Sequence, residues 1–234
     1  MSQELATRPR SARAQMRILI VEDHQLFAES LELVLSVEGY DVRRVPVPDT
    51  ASSPGTLLSS LVRLQPRVVL LDLDLGRFGD GMRLISPLAT TGINVVVVTS
   101  AIDRSRWGEA IRCGARTVLS KAQPLSSVLA TVRRINAGLP VLTFEEREDL
   151  LRAWRQQRSE LQSTLAKLSL LTARESQVLG QLMRGRTVHD IAVRSVVSEA
   201  TVRTQVKSIL SKLEVSSQLA AVGLAHQVGW KPAL

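Results

Sequence analysis

The chain has 234 residues, 44% apolar and 22% charged, an ordinary balance for one large or two small folded domains that excludes wholesale disorder and fibrous repeats. One cysteine, Cys113, excludes an internal disulfide framework and cysteine-ligated zinc fingers, and His24, His189 and His226 are too scattered for a metal-ligand spacing. Lys and Arg outnumber Asp and Glu by 30 to 22, a net charge of +8 that favours a polyanionic partner, while 3% aromatics are too few for a platform stacking single-stranded bases.

Residues 1–15 read as a disordered extension. The first apolar run, 18–21, stops at Glu22 and Asp23 and is shorter than the about 7–15 residues of a signal peptide. No run approaches the roughly 18 apolar residues of a membrane helix, so the expected location is the cytoplasm, with no membrane partner. Further short apolar runs follow at 40–47 (the weakest), 68–71, 95–98 and 118–119, with helix-like stretches at 25–38, 56–64, 81–88, 104–113 and 125–137 between and after them. This alternation predicts βαβ units, hence a doubly wound α/β domain with a parallel sheet over residues 16–138.

The ionisable residues of this domain fall at strand ends, where open α/β sheets form their sites. Glu22 and Asp23 end the first strand, Asp72 the third and Thr99 the fourth, and Lys121 follows the fifth. Converging carboxylates repel unless a cation lies between them, and oxygen ligands with few carboxylates select Mg²⁺. A lysine and a hydroxyl beside an aspartate suit a phosphoryl group, with the aspartate as covalent acceptor.

The segments MRILIVEDHQLFAESL, VVLLDLDL, VVVVTSA and GARTVLSKAQPL resemble the receiver domain of two-component response regulators, a flavodoxin-like fold. The resemblance implies phosphorylation of Asp72 by a sensor histidine kinase. It implies Mg²⁺ on Asp23 and Asp72, Glu22 acting through water, and the Asp74 carbonyl completing the protein ligands. Thr99 matches the switch hydroxyl and Lys121 the phosphate-pairing lysine. Three positions depart from the pattern: Gly76 stands where proline is usual, Val118 where an aromatic switch residue is usual, and Ser100 where alanine is common.

Residues 139–170 form a helical linker. Within it Leu151, Trp154, Arg158, Leu161, Leu165 and Leu168 are spaced 3, 4, 3, 4, 3, a heptad register with one charged position. The stretch reads either as an amphipathic helix packed on a neighbouring domain or as a helix that dimerises the protein through Leu151, Trp154, Leu161, Leu165 and Leu168.

From 171 to 234 the signals are helical throughout. Thr172 and Glu175 form a capping box, Gly185 ends that helix, Thr187 caps a second, Ser198 starts a third running to about Leu213, and Ser216 or Ser217 starts a fourth. On the third, Val202, Val206, Ile209, Leu210 and Leu213 form the buried stripe, leaving Arg203, Thr204, Lys207, Ser208 and Ser211 opposite. Such a face suits the major groove of double-stranded DNA, with Arg203 or Lys207 donating to guanine and Thr204 touching a thymine methyl. The segment LTARESQVLGQLMRG with TVHDIAVRSVVSEATVRTQVKSILSKLEV resembles the LuxR-type helix-turn-helix of the NarL/FixJ class. The resemblance makes Arg203, Thr204 and Lys207 the base readers, and has Thr201, Gln205, Lys212, Arg186 and the Val188 amide hold phosphates. This region carries eight basic and four acidic residues, half of the chain's excess.

The reading is a DNA-binding transcription regulator controlled by aspartyl phosphorylation, not an enzyme beyond autodephosphorylation. One alternative keeps the architecture but answers to a ligand or partner instead of phosphate. Another is a haloacid-dehalogenase-type phosphatase, since Asp72-Leu-Asp74 is similar to its DxD. Those enzymes place their second acidic pair after the lysine, whereas here the pair precedes it.

Overall fold

Successive residues of a strand point to opposite faces, so a sheet covered on both sides needs unbroken apolar runs. The strands β1 (Arg17–Val21), β3 (Val68–Leu71) and β4 (Asn94–Thr99) show this directly. Leu19, Val21, Val69, Leu71, Val95 and Val97 enter one apolar cluster, while Ile18, Ile20, Val68, Leu70, Val96 and Val98 enter a second. The computed structural model describes residue 13 and residues 15–48 and 54–232; the expected 1–15 extension falls outside these apart from Arg13 and Gln15.

Two further strands, β2 (Asp41–Arg44) and β5 (Thr117–Ser120), complete a parallel sheet in the order β2-β1-β3-β4-β5. On one face the helices α2 (Pro54–Arg63), α3 (Met82–Thr90) and α4 (Arg104–Arg112) supply Leu57, Leu61, Leu84, Ile85, Leu88, Ala110 and Ile111. On the other, α1 (Gln25–Val37) and α5 (Leu125–Asn136) supply Ala28, Leu31, Leu35, Val128, Val132 and Ile135. This is the doubly wound flavodoxin-like architecture expected from the sequence. A short 3₁₀ turn over Gly76–Phe78, not anticipated, carries the chain from β3 to α3.

The long helix α6 (Phe144–Ser169) matches the expected linker helix. The chain divides into two compact units after Arg155, so the first unit extends past residue 138 into α6. The reason is packing: Leu150 is buried in the first apolar cluster and Leu151 lies against it. Gly108 of α4 makes the close approach possible, since a Cβ there would stand 2.0 Å from the Leu150 carbonyl oxygen and 2.8 Å from the Trp154 Cβ.

The second unit, residues 156–234, holds α7 (Ala173–Met183), α8 (Val188–Ser195), α9 (Glu199–Leu213) and α10 (Gln218–Gln227). Each begins at the expected cap. Thr172 with Glu175 forms a complete capping box, as does Thr187 with Asp190, and Ser198 and Ser217 cap α9 and α10. Leu168, from the last turn of α6, is buried in this unit's core with Leu179, Ile191, Val202, Ile209 and Ala225.

Glu175 ties α7 to α9. Its carboxylate accepts hydrogen bonds from Lys212 Nζ at 2.7 Å, Ser208 Oγ at 2.7 Å, and the Thr172 amide at 2.7 Å. Burial alone would raise its pKa, but these donors hold it at about 2. A carboxyl with a folded pKa near 2 and an unfolded one near 4.5 contributes stability above about pH 4.5, lost as the pH falls toward 2. Glu175→Gln should cost roughly 2 kcal/mol at pH 7, below the about 3–5 kcal/mol of a fully buried pair because Lys212 remains partly solvated. Urea unfolding of both full chains from pH 7 to pH 3 checks this: the gap between them should narrow below pH 4.5.

Candidate functional site

The strand order reverses between β1 and β3, and a crevice opens there at the carboxyl ends of the strands. Glu22 and Asp23 follow β1, and Asp72 follows β3. Glu22, Asp23, His24 and Asp72 each offer a ligand atom within 4.8 Å of the others. Lys121, just past β5, places Nζ 2.7 Å from Asp72 Oδ2 and 2.7 Å from the Glu22 carboxylate. The ammonium bridges the two most buried acids of the site and offsets one of their two negative charges. Burial lifts the Glu22 pKa above its ordinary value, against the pull of Lys121. Burial would lower Lys121, but the hydrogen bonds to Asp72 and Glu22 overcome it and raise its pKa.

Asp72 is 3% exposed, and its second oxygen, Oδ1, is buried without a hydrogen-bond partner among the described residues. Such an atom is costly unless something outside the chain satisfies it. The carboxylate oxygens of Glu22, Asp23 and Asp72, one of them orphaned, fit a hard divalent cation such as Mg²⁺.

Thr99, 2% exposed, lines the same cleft as Asp72, and its Oγ1 accepts from the Ala101 amide at 3.2 Å. Its carbonyl accepts from the Lys121 amide at 2.9 Å, which joins the hydroxyl and lysine positions through the main chain. Asp74 lines the cleft too, but its Oδ1 accepts from the Gly76 amide at 3.2 Å, so its carboxylate stands apart from the acidic cluster. The structure thus brings Glu22, Asp23, Asp72, Thr99 and Lys121 together.

It also adds two residues. His24, too far in sequence from the other histidines for a metal-ligand spacing, joins the cluster with Nδ1 2.9 Å from Asp23 Oδ1, and that acid's charge raises its pKa. Its position directly after the acid pair was the available signal. Arg106 of α4 reaches the cleft and pairs with Asp80 at 2.9 Å, a meeting no local sequence spacing announces.

The unusual Gly76 has a physical reason. Its φ is +55°, which a proline ring cannot adopt, and a Cβ would lie 2.9 Å from Asp23 Oδ2. Val118 is buried in the core, against which Phe78 and Trp107 also pack, and the Trp107 Nε1 on α4 donates to the Ala101 carbonyl at 2.8 Å.

In the second unit, α9 buries Val202, Val206, Ile209 and Leu213 and leaves Thr201, Arg203, Thr204 and Lys207 exposed, as its periodicity predicts. Arg203 pairs with Glu199 one turn earlier at 3.0 Å, and Glu199 also meets His189 Nδ1 at 2.9 Å. The Thr204 hydroxyl donates to the Ala200 carbonyl at 3.0 Å. Ser208, expected on the outward face, turns instead to Glu175. Lys212, expected on a phosphate, has its ammonium on Glu175 and the Leu170 carbonyl. Gln205 is only partly exposed, with its amide oxygen buried. Arg186 bonds to the Gln181 side chain, and Val188 opens α8.

The heptad residues divide between two cores. Leu151 packs against the first unit's core and Trp154 against Gly108, with the Arg112 guanidinium 4.7 Å from its ring. Leu168 belongs to the second unit's core. Leu161 is partly exposed and Leu165 is 47% exposed. Three of the five residues expected to dimerise the protein, Leu151, Trp154 and Leu168, therefore have partners within the chain, while Leu161 and Leu165 are at least partly exposed.

Residues 18–133 match the family described as the response regulator receiver domain, and residues 169–225 match the luxR family of bacterial regulatory proteins. The transcriptional regulatory protein DesR of Bacillus subtilis (strain 168) is 25% identical over 214 residues, covering 91% of this chain and 98% of that protein. LiaR of the same organism is 27% identical over 214 residues, covering 91% and 97%. A solved structure of the Salmonella typhimurium response regulator RcsB is 21% identical, with a TM-score of 0.47, covering 91% of this chain and 98% of that one. Both matched regions coincide with units whose site geometry has been described, and the chain belongs to the response regulators that join a receiver domain to a LuxR-type DNA-binding domain.

Proposed function

We propose that this protein regulates transcription through DNA binding that is switched when a sensor histidine kinase transfers a phosphoryl group to Asp72. The observation that carries this reading is the Asp72 carboxylate: one oxygen is held by Lys121 at 2.7 Å, the other is buried and unsatisfied, and the residue lines a cleft with Thr99. In the transfer, a carboxylate oxygen of Asp72 bonds to phosphorus, the donor's P–N bond breaks, and the electron pair leaves with the donor imidazole. Lys121 follows the new negative charge from the carboxylate to the phosphoryl oxygens, and Thr99 donates its hydroxyl to one of them. Asp23, Asp72 and the Asp74 carbonyl would hold Mg²⁺, with Glu22 acting through water, and the cation would further neutralise phosphoryl charge. A cytoplasmic location is part of this reading, because the phosphoryl donor and the DNA both have to be met there.

Intact-mass measurement with acetyl phosphate and Mg²⁺ tests the acceptor. The full chain should gain one phosphoryl group and Asp72→Asn none; labelling of Asp72→Asn at the normal rate removes Asp72 from the role. A regulator answering to a ligand or partner instead would leave the wild-type mass unchanged.

On DNA, the exposed side of α9 supports Arg203, Thr204 and Lys207 as base readers. Thr201, Arg186 and the Val188 amide would hold phosphates. Arg203→Ala and Lys207→Ala should each cost roughly 1–3 kcal/mol on specific DNA and relax base preference. Binding titrations against matched and base-substituted duplexes check this, and unchanged affinity and preference in Arg203→Ala would reject the groove assignment.

Homodimerisation belongs to the same proposal, with Leu161 and Leu165 carrying what remains of the seam. Leu161→Asp combined with Leu165→Asp should lower the sedimentation coefficient of the phosphorylated full chain and weaken its DNA binding. An unchanged coefficient would move the contact to another surface.

A further inference from the structure

Three consecutive residues of α4 face three different parts of the first unit. Arg106 lines the cleft above Asp72 together with Asp80, Thr99 and Ala101. Trp107 holds the Ala101 carbonyl through Nε1 at 2.8 Å, two residues beyond the Thr99 hydroxyl. Gly108 lies against the Leu150 carbonyl and the Trp154 side chain of α6. A force on Arg106 is thus a force on the helix that carries both the Thr99 loop contact and the α6 docking surface.

Arg106 has a weak partner now. Its Nη2 lies 2.9 Å from Asp80 Oδ1, with the two side chains 38% and 39% exposed. The same Asp80 oxygen already accepts from the Met82 amide at 2.9 Å, capping the start of α3. A half-exposed, single-contact pair is easily exchanged. A phosphorylated Asp72 would place, in the cleft that Arg106 lines, more charge and more acceptor oxygens than Asp80 offers. Guanidinium is the side chain that engages phosphoryl oxygens two at a time.

We propose that Arg106 is a phosphate-responsive residue that exchanges Asp80 for the phosphoryl group on Asp72, shielding that group from water and drawing α4 with it. This rests on Asp72 being the acceptor. The bond at stake is the acyl phosphate: in its hydrolysis, water oxygen bonds to phosphorus, the bond from phosphorus to the Asp72 oxygen breaks, and the carboxylate and inorganic phosphate result. An arginine closed over the phosphoryl oxygens slows the approach of water.

Two variants separate this role from a merely structural ion pair, because both break the pair but leave Arg106 in different situations. In Arg106→Gln the cation is gone. In Asp80→Asn the cation is released, while the side-chain oxygen that caps α3 is retained. The full chain is loaded with acetyl phosphate and Mg²⁺, the reagent is removed, and the surviving phosphoprotein is followed by intact mass. Arg106→Gln should shorten the phosphoryl lifetime about tenfold, the scale of one charge-assisted hydrogen bond. Arg106→Lys should recover part of that loss, and Asp80→Asn should lengthen the lifetime beyond that of the wild type. In a Trp230→Phe background, which leaves Trp107 and Trp154, the tryptophan emission change on loading should be lost in Arg106→Gln. Lifetimes that move in the same direction in Arg106→Gln and Asp80→Asn, or an unchanged lifetime in Arg106→Gln, overturn the proposal while leaving Asp72 as acceptor. A wild type that takes no phosphoryl group overturns the acceptor reading, and this inference with it.

Discussion

The ammonium of Lys121 is the interaction on which the receiver site depends. Two acids with side chains only 3% exposed, Glu22 and Asp72, face each other across the β1–β3 crevice, and neither charge is tolerable there alone. One lysine bonded to both at 2.7 Å makes the arrangement stable, yet it satisfies only one Asp72 oxygen. The site is therefore folded but chemically incomplete. Its remaining need, a partner for a buried carboxylate oxygen, is what makes a cation and a phosphoryl group fit. Because the Lys121 amide also donates to the Thr99 carbonyl, charge and hydroxyl are positioned by adjacent parts of one sheet and not by independent loops.

The departures from the receiver pattern become coherent once α4 is considered. No aromatic ring stands on β5, where Val118 is part of the packed core. On this side Phe78 and Trp107 both pack against that core, and Trp107 is hydrogen-bonded to the loop that leaves Thr99. The same helix lacks a side chain at Gly108, and that absence lets α6 approach until its main chain is in contact. A larger residue at 108 would push α6 off; a smaller one at 107 would release the Ala101 carbonyl. Both contacts to α4 depend on particular residue sizes, so small movements of this helix are not absorbed by loose packing.

Much of this was legible in the sequence because it rests on local rules. The apolar runs ending in Asp23, Asp72 and Thr99 gave strands with site residues at their ends, and Thr172, Thr187, Ser198 and the pair Ser216–Ser217, of which Ser217 proves to be the cap, marked helix starts through cap chemistry alone. What was not legible depends on contacts across the fold. Nothing near Ser208 or Lys212 in sequence announces that both turn toward Glu175, more than thirty residues earlier, and periodicity alone sends Ser208 to the outward face. Arg106 meets Asp80 across the cleft, again beyond any local spacing. Val196 is a third case: a β-branched residue closing α8 at φ +52° where glycine or asparagine is favoured, a conformation imposed by the turn into α9 and not by its own preference.

The heptad of α6 shows most clearly what a sequence period can and cannot state. A spacing of 3 and 4 identifies residues that share one face of a helix, and Leu151, Trp154 and Leu168 do prove to be packing residues. The period is silent about what covers that face. Here the first turns of α6 are claimed by the core of the first unit and its last turn by the core of the second, so one stripe serves two intramolecular partners. Between them, residues 156–166 contain no buried position, and Leu161 and Leu165 stand in this stretch. Two apolar positions are too few for a stable two-stranded coil, which needs several consecutive heptads. Any association through them is weak by itself and is strengthened when something else holds two copies together, as phosphorylated receivers in the proposed dimer or a DNA site with two half-sites would by raising their effective concentration. On this argument the stretch of α6 left uncovered is suited to respond to assembly on DNA, and the covered ends are suited to keep each domain folded whether or not a second copy is present.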